Sequence, residues 1–251
     1  MTTNLLILGG TMEATALCNR LAALNVRASL SLAGRVTRPK RQPLPMRVGG
    51  FGGVAGLCAY LVDAGITHVI DATHPFASQM SHNAAEACTT LDLPSVALVR
   101  PPWTAQPGDK WKQVPDIAGA VRALDRPACR VMLAVGRMHL NDFAPNPQHH
   151  YVLRLVDPPQ EKLPFPQVKV LVDRGPFTAS KDKALMQSHG IDLVVSKNSG
   201  GKGAVSKILA ARDLGLPVIM LDRPQMPSRT EVTSVDAVLK WLKGHEADLG
   251  V

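Results

Sequence analysis

His68-Val69-Ile70-Asp71-Ala72-Thr73-His74-Pro75-Phe76-Ala77 is an apolar run that ends in a polar loop, and a helix-like segment follows it. A strand ending this way puts a hydroxyl, an imidazole and an aromatic ring where open α/β sheets hold their ligands. The chain opens with a second stretch of the same kind, Leu5-Leu6-Ile7-Leu8-Gly9-Gly10-Thr11. Outward from these two, apolar runs alternate with helical patterns along the whole length, which is the mark of parallel βαβ construction. Strands are expected near 4–8, 26–32, 45–48, 67–71 and 95–99, with helices near 11–24, 53–64 and 77–91. A second series puts strands near 130–135, 150–156, 168–173, 192–196 and 217–221, and helices near 115–124, 178–189, 203–214 and 233–243.

Between the two series, Arg100-Pro101-Pro102-Trp103 and Gln106-Pro107-Gly108-Asp109 are dense in breakers and read as a domain crossing. The expected division is therefore 1–100 and 101–251. The halves share a register: Gly65-Ile66-Thr67-His68-Val69-Ile70 parallels Gly190-Ile191-Asp192-Leu193-Val194-Val195. Leu93-Pro94 leads to Arg100-Pro101 as Leu216-Pro217 leads to Arg223-Pro224, with six residues from Pro to Arg in both. Coincidence between two common αβ endings is the competing explanation. If the halves are alike, Thr73-His74-Pro75 and Lys197-Asn198-Ser199 occupy equivalent strand ends. The expected fold is α/β, two Rossmann-like parallel-sheet domains facing a common cleft.

A chain of 251 residues with 45% hydrophobic content can bury real cores. No apolar run approaches the ~18–20 residues that span a bilayer. Met1-Thr2-Thr3-Asn4 runs directly into a strand, so a cytoplasmic protein is expected. Cys18, Cys58, Cys88 and Cys129 are scattered without a CxxC pair, and His149-His150 reads as a strand start, so no metal is expected. The net charge of +8 is spread along the chain, and aromatic residues make up only 4%. That pattern argues against nucleic acid and for a polyanionic small molecule.

Gly9-Gly10-Thr11-Met12-Glu13-Ala14 stands where a Rossmann phosphate loop would stand, after the first strand and opening the first helix. Helix-start amides and the helix dipole favour a pyrophosphate there. The stretch is not a true GxGxxG, and a plain tight turn is the alternative. Between Glu13 and Asp63 there is no acidic residue, while Arg20, Arg27, Arg35, Arg38, Lys40, Arg41 and Arg47 fall in the same span. An NAD site wants a carboxylate after the second strand; here Leu32-Ala33-Gly34-Arg35 offers an arginine, which suits a 2′-phosphate and so NADPH. Gly49-Gly50-Phe51-Gly52-Gly53 suggests backbone passing close to a ribose or a flat ligand, with a simple flexible turn as the rival.

In the second half, Ser196-Lys197-Asn198-Ser199-Gly200-Gly201-Lys202-Gly203-Ala204 combines ammonium groups, an amide, hydroxyls and glycines before a helix. Such a loop can hold carboxylates or phosphates, but it lacks P-loop spacing, which excludes a kinase or ATPase. Asp173-Arg174-Gly175-Pro176-Phe177 and Gly136-Arg137 end two further strands. Cations at three strand ends favour an acidic substrate.

These motifs together resemble the precorrin-6A reductase family of cobalamin biosynthesis. The resemblance rests on Leu8-Gly9-Gly10-Thr11 with Glu13-Ala14, on Asp71 through Ala77, and on Gly136-Arg137. It continues through Arg174-Gly175-Pro176-Phe177, Lys197-Asn198-Ser199-Gly200-Gly201 and Leu216-Pro217-Val218-Ile219-Met220. It implies a two-domain enzyme that reduces one macrocycle double bond of precorrin-6A, a tetrapyrrole-derived polycarboxylate, with a hydride from NADPH. A relative of the same family acts on the cobalt-containing substrate. Handover contacts with neighbouring pathway enzymes are a further expectation.

On this reading Gly9, Gly10, Thr11 and Glu13 serve the cofactor pyrophosphate, Arg35 its 2′-phosphate, and Gly50, Gly52 and Gly53 its ribose side. Thr73, His74, Pro75 and Phe76 lie at the nicotinamide–substrate junction. His74 either acts as general acid or orients the loop. Arg137, Arg174, Lys197, Asn198, Ser199, Gly200, Gly201 and Lys202 receive substrate carboxylates. Two other classes are weighed against this. A non-enzymatic NADP-binding regulator leaves the Lys197–Lys202 loop unexplained, and a nucleic-acid or general anion binder is opposed by the low aromatic content.

Overall fold

The computed structural model describes residues 3–34 and 39–245. It divides into two compact units, Met1–Pro101 with Gln225–Val251, and Pro102–Pro224. The first unit begins with β1 (Leu5–Leu8), α1 (Met12–Ala23), β2 (Ala28–Leu32), β3 (Met46–Val48), α2 (Gly53–Asp63), β4 (His68–Asp71), α3 (Ser78–Thr90) and β5 (Ser95–Leu98). The second contains β6 (Lys110–Val114), α4 (Ile117–Ala123), β7 (Arg130–Ala134), β8 (His150–Leu155), β9 (Val168–Val172), α5 (Ala179–Ser188), β10 (Leu193–Lys197), α6 (Ser206–Asp213) and β11 (Pro217–Leu221). The chain then returns to the first unit with β12 (Glu231–Val232) and α7 (Val235–Gly244). No described helix is long and apolar enough to cross a membrane.

β1 shows why these segments become central strands. Its four residues alternate between two faces. Leu5 and Ile7 pack with Leu17 and Leu21 of α1 and with Val238 and Leu242 of α7. Leu6 and Leu8 pack with Leu57 and Leu61 of α2 and with Ala84 and Ala87 of α3. A parallel strand covered on both faces reads as a continuous apolar run, and each such side chain contributes roughly 1.5–3 kcal/mol on burial. The helices start on hydrogen-bonding caps: Thr11, Asp116, Thr178 and Ser234 each accept an amide from the first turn of their helix.

All pairings are parallel, and the two sheets share one plan. The first runs β12-β5-β4-β1-β2-β3 and the second β6-β11-β10-β7-β8-β9. β10 thus stands in its sheet where β4 stands in the other, and β7 where β1 stands. The outermost strand beside β5 and the one beside β11 are each distant in the chain from that neighbour. β6, which comes after β5 in the chain, lies beside β11, and β12, which comes after β11, lies beside β5.

This arrangement corrects the expected division at 101–251, because residues from Gln225 onward belong to the first unit. The reason is physical. Ala97 and Val99 donate their amides to the carbonyls of Thr230 and Val232 at 2.8 Å. Val238, Leu239 and Leu242 complete the core over α1, and Arg229 donates to the buried Asp71 at 2.6 Å. β6 and β12 escape sequence reading because both are edge strands: Lys110-Trp111-Lys112-Gln113-Val114 is mostly polar, and β12 has two residues.

Removing one partner of the Arg229–Asp71 pair strands a charge, since the side chains are only 11% and 9% exposed. Arg229→Ala is expected to cost about 3–5 kcal/mol, read as a lowered urea midpoint. A loss below about 1 kcal/mol, the range of an exposed pair, would show that the returning tail is held without this bridge.

Candidate functional site

In the first sheet β1 is flanked by β2 on one side and β4 on the other, so strand order reverses between β1 and β4. Ligands of open α/β sheets bind beyond the strand ends at such a switch point. The residues there are Gly9, Gly10 and Thr11 after β1, and Ala72 to Phe76 after β4. A side chain at Gly9 would stand 2.4 Å from Leu30 Cδ1, and Gly10 holds φ +118. The Thr11 hydroxyl accepts from the Ala14 amide at 3.1 Å and donates to the Ala72 carbonyl at 2.8 Å, so it caps α1 and ties the two loops together. The amides of Gly10, Thr11, Met12 and Glu13 have no protein partner among the described residues. Such amides give a helix start partial positive charge. The Glu13 carboxylate, which would repel an anion there, is paired with Arg100 at 3.0 Å.

One carboxylate shapes the second loop. Asp71 Oδ1 accepts from the Thr73 amide at 3.1 Å and the Thr73 hydroxyl at 2.7 Å. Its Oδ2 accepts from Ser81 and Arg229, each at 2.6 Å. Farther along the loop, His74 Nδ1 accepts the Phe76 amide at 3.2 Å, and the two rings lie 5.8 Å apart. Neutral His74 therefore carries its proton on Nε2. A second proton on Nδ1 would face the Phe76 N–H.

After β3, Gly49, Gly52 and Gly53 all take positive φ, and a side chain at Gly50, Gly52 or Gly53 would meet nothing within 4 Å. Arg47 braces this loop. Its Nη1 donates to Ser31 Oγ at 2.9 Å and to the Gly49 carbonyl at 3.0 Å, and its Nη2 donates to the Gly50 carbonyl at 3.0 Å. The guanidinium lies 3.9 Å from the Phe51 ring centroid. Arg35 falls outside the described residues.

The second sheet uses equivalent strand ends differently. Gly136, at φ +84, and Arg137 come after β7 as Gly10 and Thr11 come after β1. They lead only into short 3-10 turns, Arg137–His139 and Asn141–Phe143, so no stacked helix amides await a pyrophosphate. Charge comes from side chains instead. Burial brings the Lys197 ammonium down to about 8, and Asp142 works in the opposite direction. Arg137 and Lys202 are exposed. Arg174 is salt-bridged to Asp157.

Asn198 and Ser199 are buried. The Asn198 side chain accepts from the Trp103 amide at 2.8 Å and donates to the Trp103 carbonyl at 2.9 Å. Arg223 donates to the carbonyls of Asn198 and Ser199 at 3.0 and 3.2 Å, and Trp103 Nε1 donates to the Gly201 carbonyl at 2.9 Å. Beyond this frame Gly200 and Gly201 are both left-handed, at φ +67 and +70.

A family model described as precorrin-6x reductase CbiJ/CobK matches residues 4–243. The chain belongs to the precorrin-6x reductase family. It is 54% identical over 245 residues to a precorrin-6A reductase of Rhodobacter capsulatus, covering 98% of both chains. A solved structure of CobK precorrin-6A reductase matches with a TM-score of 0.96 and 53% identity over the whole of both chains. A cobalt-precorrin-6A reductase of Priestia megaterium is 27% identical over 250 residues, covering 95% of this chain and 97% of its own.

The structure brings Gly9, Gly10, Thr11 and Thr73 to one switch point, and it turns the Thr11, Asn198 and Ser199 side chains toward the protein's own backbone. Sequence reasoning misses the clamp of Trp103 and Arg223 on the Lys197 loop. The repeated Pro-to-Arg spacing that marks Arg223 is the one signal for it. Arg47 is likewise hidden in a general basic run, although that residue pairs with Ser31 on β2.

Thr11→Ala should lose both the cap and the tie to Ala72. An unfolding free energy lower by about 1–2 kcal/mol is expected, with Thr11→Ser recovering most of it. Equal denaturant midpoints for wild type and Thr11→Ala would show that the hydroxyl holds neither loop.

Proposed function

We propose that the chain reduces one double bond of the precorrin-6A macrocycle with a hydride from NADPH, giving precorrin-6B. The observation that carries this is that similarity to the Rhodobacter capsulatus precorrin-6A reductase runs through both units, over 98% of each chain. A nucleotide sensor would need only the loops of the first unit. Identity to the cobalt-precorrin-6A reductase is half as high, 27% against 54%, which favours the metal-free macrocycle.

The first unit suits the cofactor on its own geometry, through the amides left open at the start of α1 and the space around Gly10. When bound, NADPH supplies the hydride. The backbone at Gly9, Gly10, Thr11 and Glu13 holds the pyrophosphate, Gly50, Gly52 and Gly53 admit the ribose side, and Arg35 meets the 2′-phosphate. Thr73, Pro75 and Phe76 border the nicotinamide. The bond from the Phe76 amide to His74 Nδ1 favours an orienting role for His74, with Nε2–H as its donor, over that of general acid. The proton added beside the hydride then comes from solvent. In the second unit Lys197, Lys202, Arg137 and Arg174, with the amides of Gly200 and Gly201, receive the carboxylates, while Asn198 and Ser199 shape the loop that carries them.

NADPH oxidation by the purified protein should require precorrin-6A and be much slower with NADH. Tight NADPH binding without oxidation, whether precorrin-6A or its cobalt form is supplied, would overturn the reading in favour of a regulator. Turnover of the cobalt form alone would reassign the substrate.

The Lys197 ammonium is charged below its pKa of about 8 and neutral above it. Attraction for a carboxylate is therefore present at low pH and lost as pH rises through that value. kcat/KM for the macrocycle, which reports the free enzyme, should fall above pH about 8. Lys197→Arg stays charged throughout and should flatten that limb. An unchanged limb in the variant would remove Lys197 from substrate binding.

A further inference from the structure

Arg47 differs from the arginines that are held by ion pairs. Arg100, Arg154, Arg212 and Arg229 each face a carboxylate, Glu13, Asp182, Asp109 and Asp71 respectively. The three hydrogen bonds of Arg47 go to neutral acceptors: the Ser31 hydroxyl and the Gly49 and Gly50 carbonyls. Among the described residues no carboxylate lies within ion-pair distance of it, and no acidic residue occurs between Glu13 and Asp63 to supply one. Its positive charge is thus fixed in place, half-buried, and without a carboxylate counter-ion among the described residues.

The hydrogen bonds also show which donors of the guanidinium have no protein acceptor among the described residues. A guanidinium has five N–H donors. Both hydrogens of Nη1 and one of Nη2 are engaged by Ser31, Gly49 and Gly50. The planar face rests on Phe51, with Tyr60 beyond it at 5.1 Å. That leaves Nε–H and the second Nη2–H, the side-on pair that grips a phosphate or carboxylate with two parallel bonds. Arg47 is the Cα partner of Ser31, one residue before the end of β2. The end of the second strand is where a Rossmann sheet reads the adenosine ribose, by carboxylate for a 2′-hydroxyl or by arginine for a 2′-phosphate.

We propose that Arg47 is a selectivity residue for the phosphorylated cofactor, bracing the Gly49–Gly53 loop with one edge and gripping the 2′-phosphate with the other. This rests on the NADPH reading above and deepens it. Lysine cannot replace it, because an ammonium carries the charge without the planar fork. A loop brace alone would serve NADPH and NADH equally, whereas a phosphate grip separates them.

The test is equilibrium binding of NADPH and NADH to wild type, Arg47→Lys and Arg47→Gln, each first shown to be folded by circular dichroism and thermal melting. Adenosine 2′,5′-bisphosphate and AMP serve as probes that lack the nicotinamide. Wild type should prefer the 2′-phosphorylated member of each pair. Arg47→Gln should weaken NADPH on the order of 10–100-fold more than NADH, the scale of a charge-assisted pair, and lose part of the salt dependence of NADPH binding. Equal weakening of both cofactors would overturn the proposal and leave Arg47 as a brace. Unchanged affinities would overturn both of its roles. A wild type that does not prefer NADPH would instead defeat the cofactor reading itself, and the inference with it.

Discussion

The Asp71 carboxylate is the constraint on which the first unit depends. A buried carboxylate must have its lone pairs satisfied or shift its protonation. Asp71 satisfies its own with four donors drawn from three places: the Thr73 amide and hydroxyl in its own loop, Ser81 on α3, and Arg229 on the returning tail. One side chain thereby sets the turn after β4, seats the next helix, and fastens a segment 158 residues away in sequence. The loop that displays Thr73, His74 and Phe76 is anchored at Thr73, because moving that residue would remove two of the Asp71 donors. Fixed placement of polar groups is what any site that must orient a ligand needs.

Two sheets of one strand order nevertheless present different groups at their strand ends. After β1 the chain enters a twelve-residue helix whose first amides are open. After β7, at the matching position, it enters two three-residue turns. The first arrangement concentrates backbone dipoles on one point and suits a compact diphosphate. The second spreads side-chain cations over several strand ends, which suits an anion whose charges are spread around a wide rim. Fold alone would not separate these roles. A long helix after one strand, and short turns after its counterpart, make the difference.

Most of this architecture was legible in the sequence because central parallel strands must be apolar on both faces. Leu5 to Leu8 and His68 to Asp71 announce themselves in that way, as do Val131 to Ala134. A mostly polar or two-residue edge strand carries no such signal, so Lys110 to Val114 and the pair Glu231-Val232 stay hidden. The return of the tail is equally hidden, since it depends on a pairing between Arg229 and Asp71 that no local window contains. At the strand ends, residue type alone does not say which atoms a polar side chain engages. Threonine, serine and asparagine cap helices and bridge backbones as readily as they bind ligands. Thr11, Asn198 and Ser199 all turn inward for those purposes, and only packing decides between the two uses. Arg47 shows the converse: a residue indistinguishable from its basic neighbours in sequence becomes distinctive once its partners are seen to be uncharged.

Lys197 shows how a fold can store part of the energy of recognition. Its ammonium sits at the end of β10 where burial lowers its pKa to about 8, and Asp142 offsets only part of that effect. Holding a charged lysine there is unfavourable in the free protein, because the ammonium has lost more from water than its surroundings return. A carboxylate arriving beside it restores the charged form, so protonation of Lys197 and binding of an acidic ligand reinforce one another. Arg47 is likewise held in place before any ligand arrives, by its bonds to Ser31, Gly49 and Gly50. Part of the desolvation of Lys197 is borne on folding, before any ligand arrives. An anion that then meets this ammonium gains affinity from a cost the fold has already borne.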